Sequence, residues 1–157
     1  MDKKERQKYP VSVFSLIFND EGKFLFASKD GNSHWTAIGG WMEMESVVEC
    51  IEREIKEELG EIDFQILDIV DTHVWNYKDK MPIISIFALV KYIDGELSAD
   101  DDIKEFTLKW FTPEELNNID VYCPRQPEII QKALFFMNEY VKKPEVDFLK
   151  YKWRYLS

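Results

Sequence analysis

Residues 46–59 constrain what this chain can fold into more than any other stretch. Glu49 stands three positions after Ser46, the reciprocal capping box that opens a helix. Val48, Ile51, Ile55 and Leu59 recur at helical spacing, so one stripe is predicted to be buried, and Gly60 supplies the stop. On the same helix Glu54, Glu57 and Glu58 occupy positions i, i+3 and i+4 and point to one side, a quarter-turn or more from the apolar stripe. Like charges packed this closely repel and cost stability unless something neutralises them. Taken alone, a solvated acidic face is the commoner explanation of such a cluster. The sharper one is a seat for Mg²⁺ or Mn²⁺, which prefer carboxylate oxygen.

The flanking segments are mostly strand-forming. Residues 11–18 are rich in β-branched and aromatic side chains, Asp20-Glu21-Gly22 marks a turn, and residues 23–28 form a second strand, so the two make a hairpin. Residues 29–33 are a polar loop, and a short strand over 35–38 runs into Gly39-Gly40. Beyond the helix, residues 62–75 are strand-like with a bend, 82–93 are strongly β-forming, Asp94-Gly95 is a turn, and 106–111 form another strand. Thr112-Pro113-Glu114-Glu115-Leu116 opens a short helix with Thr as cap and Pro in the first turn. Residues 128–141 form the second long helix, with Ile129, Ala133, Phe136 and Tyr140 near one face. Strands and helices in this order predict an α/β (α+β) fold with a mixed sheet. The chain is expected to be a single domain over residues 1–157, with its core at about 10–142 and a tail over 143–157.

At 157 residues and 45% apolar content the chain can bury a sizeable core. Its formal net charge of −10 argues against nucleic acid as a partner, because binding that backbone needs basic surface. It does not argue against small phosphates, since bound cations invert the local field. Cys50 and Cys123 belong to no C-x-x-C pair, which disfavours structural zinc and fits a reducing cytoplasm. The basic start, Lys3, Lys4 and Arg6, followed by the apolar run 11–18, mimics a signal peptide. The run is short and lacks a small-residue cleavage site, so it reads as a strand. No segment is long enough to span a membrane, and the expected location is cytoplasmic. Residues 148–156 mix Lys150, Lys152 and Arg154 with Tyr151, Trp153 and Tyr155. Packing on the domain or on a second subunit is the expected use, and a homodimer is hypothesised on that basis.

The wider spacing around the helix carries more. Gly39, Glu45, Arg53-Glu54-Ile55, Glu57-Glu58 and Gly60 lie within GGWMEMESVVECIEREIKEELGE. This segment resembles the Nudix box, G-x5-E-x7-R-E-U-x-E-E-x-G-U, with U apolar. Two features depart from it: the final apolar position is Glu61, with Ile62 one place later, and only four residues separate Gly40 from Glu45, so the formal spacing runs from Gly39. Trp35-x-x-Ile38-Gly39-Gly40 and Trp110-Phe111-Thr112-Pro113-Glu114-Glu115-Leu116 are also similar to that family's approach to the box and its late strand-to-helix element. The resemblance covers roughly residues 10–140 and implies an α/β/α sandwich around a mixed sheet. It implies hydrolysis of a pyrophosphate bond in a nucleoside diphosphate-linked small molecule, with Mg²⁺ or Mn²⁺ as cofactor and a soluble nucleotide (a nucleoside triphosphate, ADP-ribose or similar) as substrate.

By matching position, Glu54, Glu57 and Glu58 are the implied metal-binding glutamates. Glu45 supports the loop and joins the metal site, and Arg53 orients the glutamates with its guanidinium fork. Gly39 and Gly40 are the implied tight-approach positions next to substrate, and Lys29 stands where the family often has a basic residue facing phosphate. Glu57 is the first candidate for the general base, with Arg53 and Glu54 in supporting catalytic roles. The acidic run Asp100, Asp101, Asp102 to Glu105 is the second candidate, against a charged surface loop as the plainer account. A non-catalytic binding or sensor module of the same fold is the alternative function, disfavoured because all three helix glutamates are present. An acidic interaction protein with a chance motif is remote. Outside the box, His34 adjoins Trp35 and could reach the site, with a loop histidine of no role the plainer account; His73 shows no ligand spacing, Trp75 and Tyr77 are more readily rim or core than base-stacking, and Arg125 sits in a loop that could face a substrate phosphate.

Overall fold

The computed structural model describes residues 7–29, 34–98, 100–101, 104–121 and 126–142. In chain order the elements are β1 (Val11–Phe18), β2 (Phe24–Ser28), β3 (Trp35–Thr36), β4 (Ile38–Trp41), α1 (Val47–Leu59), β5 (Asp63–Tyr77) and β6 (Met81–Asp94). They continue with β7 (Asp100–Asp101), β8 (Lys104–Glu105), β9 (Thr107–Phe111), α2 (Pro113–Leu116) and α3 (Gln126–Lys142). Seven strands form one mixed sheet in which β1 runs parallel to β6 and every other pairing is antiparallel.

β1 is apolar on both faces because both are covered. Val13 and Ile17 join the core beneath α1, with Ile51, Ile55 and Leu59, whereas Leu16 and Phe18 join the core beneath α3, with Ile129, Ala133 and Met137. The expected helix–sheet–helix layering is therefore present. The predicted 35–38 strand is in fact two. It breaks at Ala37 so that Trp35–Thr36 pairs with β2, while Ile38–Trp41 crosses to the N-terminal half of β1, with Phe14 opposite Gly39 and Val13 opposite Gly40. That exchange of partner carries the two glycines to the flank of α1.

The bend expected in residues 62–75 is a set of three register shifts in β5, between Asp63 and Phe64, between Ile66 and Asp68 and between Ile69 and Asp71. The β5–β6 hairpin turns at Lys78 and Asp79, both with positive φ, 50° and 54°. The acidic run is not wholly loop. Its ends pair as the two-stranded ladder β7–β8, and β7 lies alongside α1. Asp102 of that run lies outside the described residues, as do Cys123, Arg125 and the tail over 143–157. Among the described residues no helix is long and apolar enough to cross a membrane.

Candidate active site

α1 begins as its sequence dictates. The Ser46 hydroxyl accepts from the Glu49 N–H at 3.2 Å, and the Glu49 carboxylate accepts from the Ser46 N–H at 2.7 Å. At its other end Gly60 takes φ 84° and donates its N–H to the Lys56 carbonyl at 3.1 Å. The buried face comprises Cys50, Ile51, Glu54, Ile55 and Leu59, while Val48 is only half-buried. A glutamate thus sits inside the apolar stripe, contrary to the expectation that the acidic side points a quarter-turn or more away. Gly40 makes this feasible: a Cβ there would stand 2.5 Å from Glu54 Oε1 and 2.9 Å from its Cδ. Gly39 is required for another reason. Its φ is +153°, and a Cβ would lie 2.1 Å from the Val13 carbonyl oxygen and 2.8 Å from Phe14 Cα, both fixed backbone of β1.

Arg53 is the hub. Its Nε and Nη2 grip Glu45 as a fork at 3.1 and 2.6 Å, and Nη2 also donates to the Trp41 carbonyl at 3.0 Å. Its Nη1 reaches Glu54 Oε1 at 2.9 Å and Glu57 Oε2 at 3.4 Å. The guanidinium holds the Glu45 carboxyl down to about 2, while Arg53 itself is raised by Glu45 and Glu54.

Glu58 has no such partner among the described cations, apart from the more distant charge of Lys29. Its Oε2 accepts the Gly39 N–H at 3.3 Å. Burial, then the negative charge of Glu54, push its carboxyl up to about 8. Burial also raises Glu54, more than its bond to Arg53 lowers it. Glu57 is the open member, with 58% of its side chain exposed.

Three carboxylates therefore gather around one guanidinium, with Glu58 beside them, and the burial of Glu54 and the partial burial of Glu58 carry a cost. Among the described residues no three acidic, histidine or cysteine side chains converge closely enough to ring an ion in this arrangement. The reason is visible: Glu45, Glu54 and Glu57 turn their oxygens to Arg53. The donor set still suits a hard cation, being all oxygen and short of positive charge at Glu58.

The other sequence candidates spread widely. Lys29 is exposed, with its Nζ 5.9 Å from the Phe106 ring centre, yet its charge is felt at Glu58. His34 pairs with Asp120 at 3.1 Å on the surface. His73 is buried rather than idle. Its Nδ1 meets Asp71 Oδ2 at 3.1 Å, Lys132 of α3 reaches the other Asp71 oxygen at 2.8 Å, and its ring stacks on Phe87. Sequence gave no sign of that cluster, because the β5 register shifts and the docking of α3 assemble it. Trp41 follows Gly40 in β4, so alternation turns its side chain to the face opposite Glu54, while its backbone carbonyl accepts from Arg53.

The NUDIX domain family model matches residues 8–133. The chain belongs to the NUDIX domain family. Among its relatives is the ADP-ribose pyrophosphatase of Methanocaldococcus jannaschii, 30% identical over 148 residues, spanning 87% of this chain and 83% of the relative. The nucleoside triphosphatase NudI of an Enterobacter species is 31% identical over 140 residues, 78% of this chain and 96% of the relative. The solution structure of the Escherichia coli ORF135 protein superposes with a TM-score of 0.62 at 26% identity, covering 88% of this chain and 95% of that one. The Nudix fold expected from the box is therefore the fold of this chain, and the chain falls among hydrolases of phosphorus anhydrides.

Proposed function

We propose that this Nudix chain hydrolyses a pyrophosphate bond in a nucleoside diphosphate-linked small molecule, using Mg²⁺ or Mn²⁺ held by Glu54, Glu57 and Glu58 with Glu45 in support. The observation that carries the reading is a pair of carboxylates, buried Glu54 against Gly40 and half-buried Glu58 on the Gly39 N–H, with too little positive charge beside them. Burying carboxylates uncompensated is costly, and a divalent cation removes that cost. When bound, the cation would neutralise phosphate charge and acidify a water.

The chain's own residues do the rest. Arg53 holds Glu45 and Glu54 in fixed orientation, so the buried carboxylates are set before substrate arrives. The glycine pair lets the β4 backbone approach the carboxylates without a side chain between them. Glu57, exposed and tethered only by a 3.4 Å contact, is free to turn and take the proton of the attacking water at its carboxylate oxygen. Lys29 adds a positive charge at the rim, where the leaving phosphate gathers negative charge. The relatives named as an ADP-ribose pyrophosphatase and a nucleoside triphosphatase support a nucleotide substrate.

The test is phosphate or pyrophosphate release, with phosphatase coupling to reveal monophosphate products, across nucleoside triphosphates, ADP-ribose, dinucleotides and nucleotide sugars. Turnover that needs Mg²⁺ or Mn²⁺ and is lost in Glu57→Gln, with the fold intact, is expected. Metal-independent turnover, or a fully active Glu57→Gln, overturns the assignment.

A further inference from the structure

We propose that the C-terminal segment 148–156 of this chain adds itself to the sheet as a strand, along the outer edge of β5 beside Thr72–Tyr77. The proposal stands apart from the hydrolase reading, because it concerns the end of the sheet and not the carboxylate cluster.

β5 ends the sheet, and among the described strands only β6 pairs with it. An open edge is a template for another strand, and proteins blunt such edges with bulges, charges or proline. β5 is blunted over its first part only. All three register shifts lie between Asp63 and Asp71, and that part also carries Asp63, Asp68 and Asp71. From Thr72 to Tyr77 the register against β6 runs unbroken, from Ile86 opposite Thr72 to Met81 opposite Tyr77. This stretch contains no proline and no Asp, Glu, Lys or Arg. It is the part of the edge that an added strand can follow.

The stretch has two unlike faces. His73, Trp75 and Tyr77 are half-buried on the α3 side, where the His73 ring stacks on Phe87 and the Trp75 and Tyr77 rings meet edge-to-face at 5.9 Å. Thr72, Val74 and Asn76 are exposed on the other side, Val74 by 56%. Residues 150–155 read Lys-Tyr-Lys-Trp-Arg-Tyr, a strict alternation of basic and aromatic. An extended strand turns those two sets to opposite sides. Laid beside β5, Tyr151, Trp153 and Tyr155 continue the aromatic face. Lys150, Lys152 and Arg154 then continue the solvent face, as positive charge on a chain of net −10. Aromatic pairs across neighbouring strands are among the contacts that stabilise sheets.

The segment also starts within reach. α3 lies over β5, with Lys132 bonded to Asp71 at 2.8 Å. Nearer the end of the helix, the Tyr140 hydroxyl is raised first by burial and then by the charge of Asp68. α3 ends at Lys142. Four residues of strand, about 13 Å, separate Asp68 from Thr72. Residues 143–147 span up to about 17 Å when extended. A short tether of this kind presents its segment at a high effective concentration, which favours the chain's own tail over a second copy.

The test is NMR on the full chain. Backbone NOEs between residues 150–155 and 72–77 are expected, with slow hydrogen exchange at the 72–77 amides that face away from β6. In a chain ending at Asp147 those amides should exchange about ten-fold faster or more, while β1, paired with β4 and β6, keeps its rates. If truncation loosens β1 as well, the comparison moves to full-length Tyr151→Ser/Trp153→Ser. Faster exchange confined to 72–77 in that variant supports the proposal, and unchanged exchange there overturns it. Absence of the NOEs, or equal exchange at 72–77 in the full and truncated chains, overturns it too. In a mixture of labelled and unlabelled chains, NOEs that cross between molecules would assign the strand to a second copy and overturn the pairing within one chain.

Discussion

Glu58→Gln should make the metal-free protein more stable at neutral pH, although it removes a carboxylate proposed to hold the metal. In the folded chain the Glu58 carboxyl is pushed from its ordinary 4.5 up to about 8, first by burial and then by Glu54. A carboxyl raised in this way leaves the fold at full stability below about 4.5, where it is protonated in both states. Stability then falls as pH rises, until the folded group ionises near 8. At pH 7 the gap from 4.5 is about 2.5 pH units, which amounts to about 3 kcal/mol. For a chain of this length that is about 6–12 °C in melting temperature.

Glutamine keeps an oxygen for the Gly39 N–H, so the substitution isolates the charge. Urea or thermal unfolding in EDTA from pH 5 to 8 should show the wild type losing stability across that window, with Glu58→Gln losing much less. Adding millimolar Mg²⁺ or Mn²⁺ should restore the wild type selectively, because a cation that binds only the native state offsets the buried charge. A variant no more stable than wild type at pH 8 in EDTA would refute the reasoning. It would mean that water or a neighbouring cation already solvates Glu58.

Three further outcomes are expected. Gly39→Ala should cost several kcal/mol, because its Cβ meets the fixed β1 backbone; Gly40→Ala should cost about 1 kcal/mol or less in stability but most of the activity, because its Cβ displaces only the Glu54 carboxylate. Denaturant midpoints and turnover measured on both variants separate the two. Arg53→Lys should lower turnover by at least about ten-fold and stability by about 1–3 kcal/mol, since one ammonium cannot replace a fork that serves Glu45, Glu54, Glu57 and the Trp41 carbonyl; full activity would refute the hub role. In the Asp71 cluster, burial raises the carboxyl but the bonds from Lys132 and His73 outweigh it, so its pKa is lowered. Its contribution to stability is present above the ordinary carboxylate range and is lost as pH falls below it. Asp71→Asn should therefore cost about 1–3 kcal/mol at pH 7 and flatten the acid limb of the pH–stability curve, leaving turnover largely unchanged.

Much of the scaffold was legible because it is local. Ser46 and Glu49 cap a helix whatever surrounds them, and Thr112 and Glu115 do the same for α2, where both capping-box bonds are made. Alternation and β-branching exposed β1, β2, β6 and β9 within a residue or two of their bounds. The break at Ala37 was not legible, because it is set by a change of partner strand rather than by any residue preference. The Asp71–His73–Lys132 cluster was hidden for a similar reason: its members lie 61 positions apart at the extremes and meet only when α3 docks.

The sequence by itself determined which residues make up the proposed site. The spacing from Gly39 through Glu45, Arg53, Glu54, Glu57 and Glu58 is a property of one loop and one helix, and helical geometry alone gathers its carboxylates. Tertiary structure decided what each of them is. Glu54, Glu57 and Glu58 are chemically identical in the chain. In the fold, Glu54 is buried against Gly40, Glu58 is held near a pKa of about 8, and Glu57 stays open to solvent. The difference comes from β4, which lays a side-chain-free strand segment along one edge of α1. Desolvation and charge depend on what lies across a few ångströms of space, and a linear sequence does not carry that information.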